Sequence, residues 1–351
     1  MNVAAQRATA QRIARPLAGK PADLVRWMGA VQAQDYGASK WAVGLRLAGA
    51  AVSDTSVARA IDDGSVVRTH ALRGTWQLVA AEDVRWMIAV VAPTVIAKAE
   101  RRHRQLGLDE RTFDASRKLL ARALRGVHLT RGEIGEVLER GGISVEGQRL
   151  PHLLGRAELD GVICGGPRRG KQDTWALLDE RVPPSTSSAL ARDEALAELA
   201  RRHLQSRGPA TLADFTWWSG LRAADARAGY EAAARTIRPP RASAPAHDAH
   251  LLPAFDEYLV GYQDRDAQLD PAHAGRLNAG GGMLGPCVVV GGQVVGTWSR
   301  TLARGAVSIE VATFARMGAQ AKQAIEEAAH RYAAFVGYFV TAIDFRNSLR
   351  L

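Results

Sequence analysis

Cysteine is scarce in this sequence, and long apolar runs are absent. The two cysteines, Cys164 and Cys287, lie far apart in the chain, which excludes a disulfide scaffold and a cysteine-based zinc finger. No stretch reaches the roughly 18 consecutive apolar residues of a membrane span. The first 15 residues carry scattered Arg and Gln and no apolar core, which excludes a secretory signal. We therefore expect a cytoplasmic protein that does not bind membranes.

The motifs of the familiar catalytic sites are missing as well. The sequence has no His-Glu-x-x-His, no Walker A loop, no Gly-x-Ser-x-Gly and no strand-linked dinucleotide fingerprint. Residues Gly280–Gly282 lack the Lys-Ser/Thr of a phosphate loop and indicate a turn. The nine histidines are scattered, and the nearest pair, His247 and His250, lies in an expected linker. We expect neither a metal nor a cofactor.

Positive charge is in excess. The 351 residues hold 46 Lys and Arg against 36 Asp and Glu, a net charge of +10, and six of these cations are lysines. High Ala, Arg and Gly together favour genomic base composition as the cause. The alternative is a surface for a polyanion, because the guanidinium fork matches phosphate geometry. At roughly 100–200 residues per domain, the length predicts two or three domains.

Helices dominate the pattern up to about residue 240, in units that repeat. Residues 111–185 show three helical stretches and then two strands around a basic tip, which is the order of a winged helix. The segments His-Leu-Thr-Arg-Gly-Glu-Ile (128–134) and Gly-Pro-Ala-Thr-Leu-Ala-Asp-Phe (208–215) indicate tandem copies of one module. We predict an α+β fold, mainly α, with units at 1–110, 111–185 and 186–240. Residues 241–351 indicate a small sheet or barrel closed by a helix.

Local signals predict several helix boundaries in the first unit. A helix over Asp23–Val31 follows Pro21, which favours a helix start. Two separate helices, Glu82–Val91 and Thr94–Leu106, are expected on either side of Pro93, because proline interrupts helical hydrogen bonding.

The tip of the second unit is the clearest nucleic-acid feature. Arg168, Arg169 and Lys171 place three cations within four residues, which suits contacts to phosphates. The alternatives are a solvated loop, or a winged helix that binds another protein.

The segment Val31-Gln32-Ala33-Gln34-Asp35 closes an apolar helix. Two glutamines at positions i and i+2 do not share a helix face, so they converge only if the helix ends there. Composition alone makes them surface polar residues. Asp35 is interpreted as structural, with an extra catalytic carboxylate as the alternative.

Four segments together resemble one known family. They are Val-Gln-Ala-Gln-Asp (31–35), Arg-Thr-His-Ala-Leu-Arg-Gly-Thr-Trp (68–76), Leu-Leu-Pro-Ala-Phe-Asp-Glu-Tyr-Leu-Val-Gly-Tyr (251–262) and Val-Val-Gly-Thr-Trp-Ser-Arg (294–300). In the same order, and over nearly the whole chain, the sequence is similar to the bacterial winged-helix DNA glycosylases of the AlkZ/YcaQ type.

This resemblance implies three tandem winged-helix units around a concave basic surface for duplex DNA, plus a C-terminal β-barrel-like domain. Members remove bulky N7-alkylated purines and unhook interstrand crosslinks, and some protect the producer of a genotoxic antibiotic. A Gln–apolar–Gln motif is catalytic in one branch, which assigns that role to Gln32 and Gln34. We expect DNA contacts from side chains in the winged-helix units: Arg68, His70, Arg73, Arg168, Arg169 and Lys171.

Two details qualify the resemblance. Members often carry His where this chain has Gln77, which weakens the Arg73–Gln77 stretch as a site. The tryptophans are expected in the core rather than stacked on bases: Trp76, Trp217, Trp218 and Trp298.

The sequence favours a monofunctional DNA glycosylase that acts on duplex DNA. The alternatives are a non-catalytic winged-helix DNA-binding protein, such as a transcriptional regulator, and a protein-interaction scaffold. A regulator usually dimerises to match paired half-sites. This chain shows no coiled-coil heptads and no obvious dimer helix, so we expect a monomer.

Overall fold

A computed structural model describes residues 2–184, 189–237, 248–278 and 284–347. The protein is a mixed α/β fold with about half of its residues in helices. The predicted Gly280–Gly282 turn and the linker around Pro239 and Pro240 lie outside the described residues.

The first unit places a three-stranded sheet beside its helices. The strand order is β2-β5-β4, and β1 pairs with β3 in a separate parallel pair. A single 3-10 turn, Leu72–Gly74, joins β4 to β5. The elements are α1 (Val3–Ala10), β1 (Leu17–Ala18), α2 (Pro21–Met28), β2 (Val31–Gln32), α3 (Tyr36–Gly44), β3 (Leu47–Ala48), α4 (Asp54–Asp62), β4 (Val66–His70), β5 (Trp76–Ala80) and α5 (Val84–Gln105).

Two expected boundaries in this unit are wrong. Helix α2 ends at Met28 rather than Val31, because Gly29 takes a positive φ of 74° that stops the helix. Helix α5 runs through Pro93 without a break. Pro93 lies on the exposed side, and the residues around it bury a continuous apolar face. Tertiary packing therefore outweighs the hydrogen bond that proline removes.

The second unit repeats the element order of α2 to β5. Apart from the two-residue strand β3, which pairs with β1, both units run in the order helix, strand, two helices, two strands. In both three-stranded sheets the first strand pairs with the third, here in the order β6-β8-β7. The elements are α6 (Glu110–Ala123), β6 (Leu129–Thr130), α7 (Arg131–Arg140), α8 (Arg149–Leu159), β7 (Ile163–Gly165), β8 (Thr174–Leu177) and α9 (Leu178–Arg181).

The third unit is three helices in the part of the chain that the structure describes. Thr211 caps the middle helix, and the Asp214 side chain returns to the Thr211 N–H at 2.9 Å. Thr130 and Glu133 form the same capping box at the start of α7. The similarity between segments 128–134 and 208–215 therefore reflects the same helix start in both. The helices are α10 (Arg192–Arg207), α11 (Leu212–Ser219) and α12 (Ala223–Ala234).

The C-terminal region is an open sheet, so the expected barrel-like closure is not what its described strands form. Its order is β13-β12-β11-β10-β9, with β9 and β13 as two separate edges. Strand β13 was not predicted; it returns parallel to β12 after α15. The elements are β9 (Ala249–Leu252), α13 (Glu257–Val260), α14 (Ala274–Leu277), β10 (Cys287–Val290), β11 (Gln293–Ala303), β12 (Ala306–Thr313), α15 (Ala319–Val336) and β13 (Phe339–Asn347).

The apolar core is shared unevenly among these parts. Helices α2–α4 and the first sheet pack into one cluster with the C-terminal sheet and α15. Helix α5 packs with α10–α12. The second unit has a core of its own, which Trp76 of β5 touches. The first unit is therefore central, with other parts of the chain packed against it.

Candidate active site

The two glutamines of the 31–35 segment lie just after α2 ends. Gln32 closes β2 and pairs with Gln77 of β5, and the Ala33 N–H donates to the Trp76 carbonyl at 2.8 Å. The backbone is therefore extended here, which meets the condition for the two glutamines to converge. Their side chains reach the same hairpin: Gln32 reaches Arg73, and Gln34 reaches Trp76.

Gln32 is held at both its side chain and its backbone. Its Oε1 accepts a hydrogen bond from Arg73 Nη2 at 2.6 Å, and its backbone N–H donates to Glu257 Oε1 at 2.9 Å. Arg73 also donates to the Trp218 carbonyl at 2.5 Å. Burial lowers the pKa of the Arg73 guanidinium, and the nearby Glu257 carboxylate opposes that shift.

A buried ion pair fixes the turn from which Gln32 projects. Glu257 Oε2 accepts from Arg207 Nη2 at 2.6 Å, and both side chains are essentially inaccessible to solvent. Arg207 donates in turn to the carbonyls of Met28 at 2.7 Å and Ala30 at 3.0 Å. Arg207 of α10 and Glu257 of α13 therefore fix the backbone that follows the end of α2.

Gln34 is exposed, and its Oε1 accepts from the Trp76 backbone N–H at 2.9 Å. Asp35 is the N-cap of α3, where its Oδ1 accepts from the Ala38 N–H at 2.9 Å. This contact gives Asp35 the structural role that the sequence predicted.

A cavity of about 400 Å³ opens beside Gln32. Arg265 and Trp217 form part of its wall, with the guanidinium 6.0 Å from the indole ring. Trp217 is 47% exposed, so its predicted place in the core is wrong, whereas Trp218 and Trp298 are buried as expected. The described lining residues are Gln32, Arg73, Trp217, Phe255, Val260, Arg265, Ala274, Asn278 and Leu284.

The other two predicted DNA contacts on the β4 strand bind protein groups. Arg68 is buried; it donates to the Ala33 carbonyl at 3.1 Å and to Asp173 at 3.0 Å. The backbone N–H and ring Nδ1 of His70 both lie 2.6 Å from the buried Glu158 carboxylate. These contacts join the first unit to the second.

The basic tip is only partly free. Arg168 pairs with Asp173 at 3.0 Å and lies over the Tyr36 ring at 4.3 Å. Arg169 pairs with Glu133 at 2.7 Å. Lys171 is exposed, and its ammonium has no partner within the described ranges. Of the three cations, Lys171 is the one most available to a phosphate.

Comparison with known proteins now decides the family. The model of the AlkZ-like DNA glycosylases matches residues 25–335. This chain belongs to the AlkZ-like DNA glycosylase family. The interstrand DNA cross-link repair glycosylase of Streptomyces sahachiroi is 29% identical over 303 residues, which cover 79% of this chain and 81% of that protein. The solved structure of S. sahachiroi DNA glycosylase AlkZ matches with a TM-score of 0.78 and 26% identity, over 99% of this chain and 98% of that one.

The AlkZ-like family was thus correctly identified from the four sequence segments. Among the described residues, no helix is long and apolar enough to cross a membrane. In the same residues, no cluster of three or more His, Cys, Asp and Glu side chains is arranged to hold a metal ion.

Sequence reasoning missed two residues that hold the AlkZ-like motif in place. Arg207 is remote in sequence from Gln32, and no local pattern connects it to the site. Glu257 lies inside the matching segment 251–262, but that segment was used only to recognise the family. A buried carboxylate needs a partner, so an acidic residue inside an apolar segment was the available signal.

Proposed function

We propose that the protein is a monofunctional DNA glycosylase that hydrolyses the N-glycosidic bond of N7-alkylated or interstrand-crosslinked purines in duplex DNA. The observation that carries this proposal is the Gln32-Ala33-Gln34 segment, held beside an open cavity by the Arg207–Glu257 pair. Desolvating two charges is unfavourable, so their use to fix a polar segment supports a functional role there. The name of the S. sahachiroi relative supports the same substrate class.

The chemistry makes modest demands on the protein. N7-alkylation gives the guanine a positive charge, so the base can leave without a strong general acid. The C1′–N9 bond then opens toward an oxocarbenium-like sugar. The protein has to place a water and stabilise the developing cation. A neutral base would lack this advantage, so we expect no excision of unmodified purines.

The contacts suggest different roles for the two glutamines. An amide oxygen has two lone pairs, and one protein donor occupies each oxygen, which leaves a second acceptor position. The Gln32 oxygen lies 2.6 Å from the Arg73 guanidinium, whose charge weakens its attraction for a cationic sugar. Gln34 is bound by a neutral N–H, so we assign to it the stronger contact with water and sugar. Neither amide can keep a proton at pH 7, so the water's proton passes to solvent.

Monofunctional chemistry fits the composition of the Gln32 cavity. A glycosylase that also cleaves the strand uses an amine to form a Schiff base with the sugar. No lysine lines this cavity among the described residues. We therefore propose direct attack by water.

The repeated element order supports winged-helix units at 1–110 and 111–185, and we propose 186–240 as the third, with a separate domain at 241–351. Duplex DNA would lie in their basic concavity and contact the tip cations Arg168, Arg169 and Lys171. Arg68, His70 and Arg73 would support the same surface. We propose that the protein acts as a monomer in the cytoplasm, with self-resistance to a genotoxic natural product as a candidate role.

A product assay separates this proposal from a non-catalytic DNA-binding protein. The wild-type protein is incubated with one duplex carrying N7-methylguanine and another carrying a nitrogen-mustard crosslink, and heat or alkali then reveals abasic sites. We expect abasic sites in both, and none in the unmodified duplex. A duplex that is bound but yields no abasic site would overturn the enzyme proposal and favour the regulator.

A further inference from the structure

Another cavity, of about 360 Å³, is lined by Arg73 and Gly74 of the β4–β5 turn and shares Arg73 with the Gln32 cavity. Helices α5 and α8 form its other walls. Of the thirteen described residues that line it, six are basic and none is acidic. The basic residues are His70, Arg73, Lys98, His103, His152 and Arg156.

Three of these side chains retain free donors. The ring centroids of His103 and His152 lie 5.2 Å apart, and neither ring has a hydrogen-bond partner within the described ranges. Lys98 Nζ donates to the Gly220 carbonyl at 2.8 Å, which leaves two of its three N–H groups. Lys98 and His103 lie on α5 and His152 lies on α8, so the packing of these two helices brings the three side chains to one cavity.

The acidic groups nearby are already paired. Glu110 accepts two hydrogen bonds from Arg156, both at 2.8 Å. Glu158 is buried beneath His70 and also accepts from the Trp175 indole at 2.6 Å. Glu100 pairs with Arg104 at 3.4 Å. The cavity therefore presents unsatisfied donors and positive charge without a competing free carboxylate at its wall.

We propose that this cavity binds a backbone phosphodiester of the substrate DNA, with Lys98, His103 and His152 as its ligands. A phosphodiester is singly charged and accepts several hydrogen bonds, which matches an ammonium and two imidazoles. Arg73 links the cavity to Gln32, so a phosphate here would fix the strand next to the reacting sugar. This assignment rests on the proposed function, because it takes DNA as the substrate.

The imidazoles make this contact pH-dependent. Burial lowers the pKa of His103, and His152 and Arg156 add to that effect while Glu110 and Glu100 oppose it. Burial also lowers the pKa of His152, with further contributions from Arg102 and His70. Both rings are therefore neutral in the free protein at pH 8. An anion favours the protonated rings, so binding takes up protons and affinity rises as the pH falls.

The first test measures the affinity for a short unmodified duplex by fluorescence anisotropy at pH 8 and pH 6. We expect the wild-type affinity to rise about tenfold at the lower pH, since the uptake of one proton on binding changes affinity tenfold per pH unit. A His103→Gln/His152→Gln variant should match wild type at pH 8 within about twofold and lose most of the rise. His330→Gln, at an exposed position of α15, is the control and should keep the rise. A double variant with the full pH response would overturn the proposal.

A second test does not depend on titration. Ala99→Glu places a carboxylate in the cavity wall, and Ala319→Glu makes the same charge change at the exposed start of α15. We expect Ala99→Glu to weaken DNA binding about tenfold and to reduce the slope of log affinity against log salt by about one. Ala319→Glu should change affinity less than about twofold. Equal effects of the two variants would contradict a phosphate in this cavity.

These tests are independent of the proposed chemistry. Excision of N7-methylguanine by the wild-type protein tests the glycosylase, whereas the binding measurements use undamaged DNA. Active enzyme with unchanged binding in both cavity variants would reject the phosphate site alone. Thermal unfolding of each variant shows whether a loss of binding reflects a loss of fold. If Ala99→Glu does not fold, the His103→Gln/His152→Gln variant decides whether the phosphate site exists.

Discussion

The first and second units share the strand order of their three-stranded sheets and differ at the junction between the first of those strands and the helix that follows it. In the second unit Thr130 is both the end of β6 and the N-cap of α7. In the first unit Ala33 and Gln34 are inserted between the end of β2 and the N-cap Asp35. This short insertion lengthens the extended segment and supplies the second glutamine. The same scaffold thus becomes a candidate active site through a local change in its strand-to-helix junction.

The two units also differ in what holds that junction. The second unit uses its own capping box and core. The first unit relies on Glu257 and Arg207, which belong to other parts of the chain. A composite site of this kind couples the position of the glutamines to the packing of the whole molecule.

The largest effect on stability is expected when the Arg207–Glu257 pair is broken. Glu257→Ala leaves the Arg207 guanidinium buried and unpaired, so we expect the free energy of unfolding to fall by about 3–5 kcal/mol. In the second unit, Thr130→Ala removes only an N-cap and should lower it by about 1 kcal/mol. Urea unfolding of both variants checks the contrast. Similar losses would show that the two junctions are held alike.

An intermediate effect is expected at Arg73. Lysine keeps the charge but cannot span both the Trp218 carbonyl and Gln32 Oε1. We expect Arg73→Lys to slow N7-methylguanine release by about tenfold in kcat, with DNA affinity unchanged within about twofold. Single-turnover kinetics and anisotropy separate the two quantities. A normal rate with weakened binding would make Arg73 a simple DNA contact.

The smallest effect is expected in the second unit, which we assign to binding. Lys171→Gln should weaken DNA binding about two- to threefold and leave the excision rate on bound DNA unchanged. Arg169→Gln should have less effect, because Arg169 is engaged by Glu133 and by the His128 carbonyl. Salt titrations of both variants provide the measurement. A larger loss from Arg169→Gln would mean that its ion pair opens on DNA.

Much of the local structure could be predicted from the sequence. The capping box at Thr130 and the glycines that end helices are short-range signals, and they placed most helices within a few residues. The predicted break at Pro93 was wrong because the effect of a proline depends on which face of α5 is buried. Strand β13 was missed because its parallel partner lies across α15. Parallel pairing is a long-range contact that no local pattern reports.

The candidate site was less accessible to sequence reasoning. Composition made Gln32 and Gln34 ordinary surface residues, and only the family resemblance marked them as catalytic. Arg68, His70 and Arg73 were predicted as DNA contacts, and nothing in the sequence indicated that each also has a protein partner remote in the chain. Partners remote in sequence decide such roles, and a single chain without its fold does not reveal them.

The most direct test of the account is the rate at which the Gln32→Ala/Gln34→Ala variant releases N7-methylguanine. With enzyme in excess over a bound duplex, we predict a fall of about 10²–10³-fold relative to wild type, the range typical of removing a preorganised group that stabilises developing charge. Affinity for the duplex should stay within about twofold of wild type. Gln320→Ala, at an exposed position of α15, is the matched control. Excision by the double variant at a rate near that of wild type would contradict the assignment of catalysis to the two glutamines.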